Sequence, residues 1–245
     1  MIVARDRESL LFVTQPDHAR FAAELLSLWR ADGLPDHPRR AELLFAVREH
    51  DNGWREADAA PRWNAEAGRP HDFITMPRED RIEIWRRGTA RFAGEHPYAT
   101  VLIAHHALRL HQDRARTEGW GDFLDYLAEL QQGLLESLGT PETLEADLAA
   151  DYRWLDLADL ISLAVCNRWS EPFERHGVRG RVGAQGTPGA DLELSLDPFP
   201  LAGATTFRIP CRSIPDRPYA GDADLAVELA QARWGNLAVR IVEPG

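Results

Sequence analysis

The chain has 245 residues, 44% of them hydrophobic, and a formal net charge of −11. This balance is typical of a globular protein, and the acidic charge argues against partners such as nucleic acid or an anionic membrane surface. No apolar run reaches the roughly 18–20 residues that span a bilayer, and no signal-peptide core opens the chain, so we expect a cytoplasmic protein. Two cysteines can make neither a disulfide framework nor a four-thiolate zinc site.

The N-terminal two thirds of the chain are predicted to be a hairpin followed by helices. Two short alternating runs at 2–4 and 10–13 flank a polar turn, which is typical of a β-hairpin over residues 1–15. Apolar spacing and terminal signals predict helices near 16–33, 38–51, 77–93, 97–115, 122–138 and 141–169. Asn52 and Gly53 are expected to end the second helix with a left-handed turn, and Thr140 to cap the last. Residues 54–76 read as a long loop, a type of segment that is often functional.

The composition changes near residue 176, where glycine and proline cluster. Alternating stretches at 192–196, 205–209 and 237–242 are typical of half-buried strands, and a short helix is predicted at 222–233. We therefore expect one α+β domain over residues 1–245, with a helical core at 16–170 and a β-rich tail at 190–245 packed on it. The hairpin and the tail are expected to share a small antiparallel sheet.

Histidine and aspartate on apolar helix faces are the candidates for chemistry. His18 lies on the same predicted stripe as Phe21 and Leu25, so it should point inward. His50 and Asp51 lie beside the core face at the last turn of the second helix. A carboxylate there is costly unless it is paired or metal-bound, and the helix dipole also opposes it. A metal ion would compensate for both effects; a packed core histidine and a solvated aspartate are the simpler interpretations.

Two later helices add further candidates. The periodicity does not decide which of His105 and His106 faces the core. Asp159 lies between leucines at helical spacing and is favoured over Asp151 and Asp156 as the buried aspartate. Together the candidates form a set of three imidazoles and two carboxylates, which suits Fe, Mn or Zn and, less well, Mg.

The order His, His-Asp, Asp on successive helices resembles the HD-domain superfamily of metal-dependent phosphohydrolases. A closer resemblance is to an uncharacterised bacterial family known only as a domain of unknown function. The resembling segments are the hairpin and residues 15–19, 50–54, 97–99, 159–163 and 196–199. The superfamily resemblance implies metal-ligand roles for His18, His50, Asp51 and Asp159. The histidine helix of the uncharacterised family implies the same role for His106.

The resemblance implies metal-assisted hydrolysis of a phosphate ester, with Asp51 as a catalytic residue that bridges metal ions or orients the attacking water. Trp54 and Arg55, which follow the His-Asp pair, are expected to contact the substrate. Glu49 and Asp17 are candidates for a general base. The expected partner is a small, phosphorylated molecule, and assembly as a homodimer is left open.

The chain contains no lysine, so any phosphate contacts must come from arginine, which suits bidentate contacts. Besides Arg55, the arginines near candidate ligands in sequence are Arg20, Arg109 and Arg168.

Three alternatives remain open at this point. A non-catalytic sensory module would keep the metal or ligand site without an open coordination position. A di-iron oxygenase of the HD type would need an additional histidine ligand, for which His71 is the candidate. The five residues could also never meet, which would leave an ordinary globular protein.

Overall fold

The protein's structure is a computed structural model that describes residues 1–114, 119–139, 141–184 and 189–244, with the backbone alone described at 141–146. The helices are α1 (Gln15–Ser27), α2 (Arg40–Glu49), α3 (Arg55–Ala59), α4 (Arg78–Arg91), α5 (Pro97–His111), α6 (Gly121–Leu138), α7 (Pro141–Cys166) and α8 (Asp222–Gln231). The strands are β1 (Ile2–Asp6), β2 (Ser9–Val13), β3 (Trp63–Asn64), β4 (Arg69–Pro70), β5 (Phe173–Arg175), β6 (Val178–Ala184), β7 (Leu192–Asp197), β8 (Thr205–Pro215) and β9 (Trp234–Val242). The predicted α+β class is confirmed.

One large sheet joins the N-terminal hairpin to the C-terminal strands, in the order β1-β2-β8-β9-β7-β6-β5. Its neighbours are antiparallel except β7 and β9, which run parallel with Leu192 opposite Val239. The prediction of a small antiparallel sheet was therefore wrong, since the sheet is mixed and has seven strands. The parallel pair arises because the chain crosses through β8 and α8 before β9 enters between β8 and β7.

The glycine-rich region after residue 176 contains a strand that the sequence did not reveal. Gly180 of β6 lies under the ring of Phe173 on β5, where a Cβ atom would come within 2.1 Å of the phenyl Cζ. Glycine is therefore used for close packing inside a strand, although its abundance is more often typical of a loop.

The helices pack on one face of the sheet, and α8 covers part of the other. Phe21 of α1 contacts Phe207 of β8 edge to face, with ring centroids 5.4 Å apart. On the opposite face, Val3 and Phe12 share a separate apolar cluster with Leu225 of α8. The hairpin is thus buried on both sides, and α1 is held between the sheet and the remaining helices.

The start of α1 follows from its sequence. The Thr14 hydroxyl accepts a hydrogen bond from the backbone N–H of Asp17 at 3.1 Å, and Pro16 occupies the first turn. The predicted Thr140 cap and the predicted end of a helix at residue 115 lie outside the described residues. None of the described helices is both long enough and apolar enough to cross a membrane.

The turn after α2 is built around a close backbone contact. Gly53 does not adopt the expected left-handed conformation; a Cβ atom there would instead lie 2.1 Å from the Ile84 carbonyl oxygen of α4. The Asn52 side-chain amide donates to the carbonyl oxygens of Glu49 and Gly88, at 2.8 and 3.0 Å. These contacts hold the His50-Asp51 pair against α4. Segment 54–76 includes α3 and the β3–β4 ribbon besides irregular chain.

Candidate metal centre

Four helical segments bring the five predicted ligands together. They are His18 on α1, His50 and Asp51 at the end of α2, His106 on α5 and Asp159 on α7, and all five are buried. Ligand atoms of His18, His50 and Asp51 lie within 4.8 Å of one another, and those of His50, His106 and Asp159 form a second such group. We call these five residues the His/Asp centre. Buried clusters of this type can hold a metal ion.

Ser162 determines which nitrogen of His18 carries the proton. The Ser162 hydroxyl donates to the Asp159 carbonyl oxygen at 2.9 Å, so its oxygen accepts from the Nδ1–H of His18 at 2.8 Å. The lone pair of the neutral ring is then on Nε2, which lies 2.8 Å from Oδ2 of Asp51. A lone pair and a carboxylate at this distance need a proton or a metal ion between them.

The second ring nitrogen of His50 has no hydrogen-bond partner. Nδ1–H of His50 donates to the Val47 carbonyl oxygen at 2.7 Å, so Nε2 carries the lone pair of the neutral ring. This buried atom lies 3.3 Å from Oδ1 of Asp159 and 3.5 Å from Oδ2 of Asp51. Buried polar atoms are almost always paired, so an orphaned imidazole nitrogen between two carboxylates marks a place for a cation.

The electrostatics of the centre also favour a positive charge. Burial lowers the pKa of His50, but the carboxylates of Asp51 and Asp159 outweigh it and raise that pKa to about 9. Burial opposes ionisation of Asp159, yet the close approach and positive charge of His50 hold its pKa far below the usual value. For His106, burial is the largest effect and lowers the pKa to about 4, which leaves a neutral imidazole at pH 7.

The distances and charges fit one divalent ion. Donors that share an ion at about 2.1 Å lie about 3.0–3.4 Å apart, close to the spacing seen around His50. Two carboxylates balance two positive charges, so the occupied centre would be neutral. Both triads use Nε2 of His50, and this nitrogen has one lone pair. A single ion at this nitrogen would therefore be shared by both triads.

The other candidate histidines lie outside the centre. His105 is half-buried and packs its ring on Tyr152, with centroids 4.7 Å apart. His71 donates from Nδ1 to the Thr75 carbonyl oxygen at 2.8 Å and belongs to neither ligand triad. The alternative between His105 and His106, which periodicity left open, is resolved by packing: His106 faces the other ligands, and its Nδ1 lies 3.2 Å from the Tyr152 hydroxyl.

The other aspartates of α7 have partners of their own. Asp151 accepts a 2.6 Å hydrogen bond from the Tyr98 hydroxyl, and Asp156 lies 2.7 Å from Nε2 of His176. Neither is a member of a ligand triad.

The candidate general bases and arginines near the ligands are also engaged elsewhere. The ion pairs are Asp17 with Arg20, Glu49 with Arg55, and Asp6 with Arg168, while Arg109 donates to Gln112. None of these predicted residues lines the pocket described next.

The His/Asp centre opens onto a pocket of about 160 Å³. Asp51, His106 and Asp159 contribute to its lining. The remaining lining residues are Gln15, Trp54, Phe73, Ile74, Arg81, Trp85, Leu110, His111, Arg114 and Leu163. Trp54, which was predicted to contact a substrate, therefore lines the wall of the pocket. Sequence reasoning missed the two pocket arginines because nothing separates them from the other 26 in a chain without lysine.

Comparisons with known proteins give a family and no function. No curated protein and no solved structure matches the chain. Residues 1–216 match a family described as a protein of unknown function, DUF3891. The match covers most of the chain, from the hairpin to the end of β8. The chain therefore belongs to the DUF3891 family.

Proposed function

We propose that this protein is a metal-dependent hydrolase of the phosphohydrolase type, with the His/Asp centre as its metal site. The observation that carries the proposal is Nε2 of His50, which is buried without a partner between Asp51 and Asp159. A divalent Fe, Mn or Zn ion, or less well Mg, would lower the pKa of a coordinated water towards about 7 and polarise a phosphoryl oxygen. The resemblance to HD-domain phosphohydrolases supports the same chemistry.

The chain's own groups have distinct roles in this proposal. Ser162 and the Val47 carbonyl hold the protons of His18 and His50 on Nδ1, which turns both Nε2 lone pairs inward. Among the described residues, Asp51 and Asp159 are the carboxylates that line the pocket. Asp51 is proposed to orient the attacking water and to accept its proton, a role for which Asp17 and Glu49 are badly placed.

Two features support a hydrolase over the alternatives. The pocket reaches Asp51, His106 and Asp159, which suits a catalytic site better than a closed structural one. The shared nitrogen of His50 supports a single ion, and His71 lies outside the ligand triads, so a di-iron oxygenase has less support. A non-catalytic sensory module would use the same ligands, and turnover is what distinguishes it.

Turnover of generic phosphate esters tests the proposal. The wild type, loaded with Mn, Fe or Zn, is expected to hydrolyse p-nitrophenyl phosphate or bis(p-nitrophenyl) phosphate. Asp51→Asn should lose about 100-fold or more of this rate, the usual contribution of a positioned proton acceptor. Asp156→Asn, on the same helix but paired with His176, is the matched control and should remain active. Metal-loaded protein that turns over neither ester would contradict the hydrolase and favour the sensory module.

A further inference from the structure

Two arginines line the pocket from elements that carry none of the five residues of the His/Asp centre. Arg81 belongs to the first half of α4, and Arg114 ends the short 3-10 helix Gln112–Arg114. Their guanidinium carbons lie 5.3 and 5.2 Å from the ring centroid of Trp120. Both guanidinium groups therefore lie near the same indole and line the same pocket before any ligand arrives.

The charge of this arginine pair is not balanced within the described part of the chain. There, neither Arg81 nor Arg114 has a carboxylate within 4.0 Å, although the chain has 39 acidic residues and many other arginines are paired. Nε of Arg81 is buried without a hydrogen-bond partner. Burial and the charge of Arg114 lower the pKa of Arg81, as expected for an uncompensated cation. An anion would satisfy both side chains.

The rest of the pocket is apolar. Trp54, Phe73 and Trp85 provide aromatic walls, while Ile74 and Leu110 at the lining are 63% and 52% exposed. Large exposed apolar side chains beside a pocket are typical of a surface that contacts a ligand. A volume of about 160 Å³ suits a small molecule.

Building on the proposed function, we propose that Arg81 and Arg114 form the phosphate-binding subsite of this pocket. The substrate class that this arrangement fits is a small phosphate monoester with an apolar or aromatic group. The two guanidinium forks match the oxygens of a phosphoryl dianion, and the walls formed by Trp54, Phe73 and Trp85 cover the apolar group.

Calorimetric titration with phosphonates tests this subsite, because their carbon–phosphorus bond is not hydrolysed. Wild-type protein is titrated with phenylphosphonate and methylphosphonate, and the same titrations are made on Arg81→Gln and Arg114→Gln. Arg86→Gln is the matched control: Arg86 also lies on α4 and stacks on an aromatic ring, 4.3 Å from the Tyr126 centroid, but it does not line the pocket. Circular dichroism confirms that each variant is folded, and metal content is measured on the same samples.

We expect each pocket substitution to weaken phenylphosphonate binding about tenfold or more, the effect of losing one charge-assisted contact, while Arg86→Gln binds like wild type. Phenylphosphonate should also bind more tightly than methylphosphonate. Unchanged binding by both pocket variants, or equal loss in Arg86→Gln, would overturn the subsite. Equal affinity for the two phosphonates would overturn the apolar part of the substrate class.

The metal measurement separates this inference from the proposed function. If the wild type contains no metal and still binds phosphonate through Arg81 and Arg114, that result supports the subsite and contradicts the proposed metal-dependent hydrolase. Protein with bound metal whose phosphonate binding ignores both arginines supports the metal centre and removes the subsite.

Discussion

Helix α7 carries two buried aspartates, Asp151 and Asp159, eight residues apart, with 2% and 8% of their surface exposed. Asp151 has close polar partners, since the Tyr98 hydroxyl lies 2.6 Å from it and Nε2 of His37 lies 2.9 Å from it. Asp159 faces three imidazoles whose nitrogens lie 3.3, 3.7 and 3.9 Å away. Both partners of Asp151 are at hydrogen-bond distance, whereas the imidazole nitrogens around Asp159 converge on it without making a hydrogen bond of good geometry.

This comparison shows that burial of a carboxylate does not by itself identify a functional site. Both aspartates are buried and both are close to histidine. The difference is that the groups around Asp151 lie at hydrogen-bond distance from it, whereas the imidazoles around Asp159 all point towards the space where a metal ion would bind. Beside Asp159, the buried Nε2 atom of His50 has no hydrogen-bond partner.

The largest expected effect comes from removing each aspartate in turn. Asp151→Ala leaves the Tyr98 hydroxyl and His37 unpaired, so the free energy of unfolding should fall by about 3–5 kcal/mol, with metal content unchanged. Asp159→Ala should abolish metal binding. Urea unfolding and elemental analysis measure the two quantities. Equal effects of both substitutions on metal content would contradict the view that Asp159 is a metal ligand and Asp151 is not.

Metal addition should stabilise the wild type against unfolding but should not stabilise a variant that lacks a ligand. At a metal concentration 100 times the dissociation constant, the free energy of unfolding should rise by about 2.7 kcal/mol. Asp151→Asn should retain this gain and Asp159→Asn should lose it, as followed by thermal unfolding with Mn or Zn. A gain retained in Asp159→Asn would remove this residue from the ligand set.

The hydroxyl of Ser162 offers a finer test, because it acts on the centre through His18. Ser162→Ala removes the acceptor of the His18 Nδ1–H, and metal affinity should fall about 10- to 100-fold. Ser137→Ala is the matched control, since that hydroxyl donates to the carbonyl oxygen three residues earlier and is exposed. If both substitutions leave metal affinity intact, Ser162 has no positioning role.

A buried histidine outside the centre shows that a shifted pKa is also insufficient evidence of a metal site. Burial lowers the pKa of His111 to about 4, and its Nδ1–H donates to the Ala107 carbonyl oxygen. The unfolded chain takes up the proton near pH 6.5, so stability present above that pH is lost as pH falls towards 4. At pH 5 the loss from this residue should be about 2 kcal/mol.

Urea unfolding at pH 7.5 and 5 measures this loss. His111→Phe should reduce it relative to wild type. An identical acid loss in His111→Phe would show that this residue does not titrate as stated.

The sequence predicted the parts of the molecule that depend on local pattern. Helices α1 and α2 and the ligands on them follow from apolar spacing, since His18 and His50 lie on faces that must be buried. The strand β6 and the parallel β7–β9 pair were not predictable, because glycine packing and strand order depend on distant partners. Arg81 and Arg114 were missed for the same reason, as their shared contact with Trp120 exists only in the fold.

The central claim is that the His/Asp centre binds one metal ion, and elemental analysis of protein purified without an affinity tag tests it most directly. The account predicts one equivalent of Fe, Mn or Zn in the wild type and none in the double variant His50→Ala, Asp51→Ala. Wild-type protein that contains no metal and takes up none of the three ions on addition would contradict it.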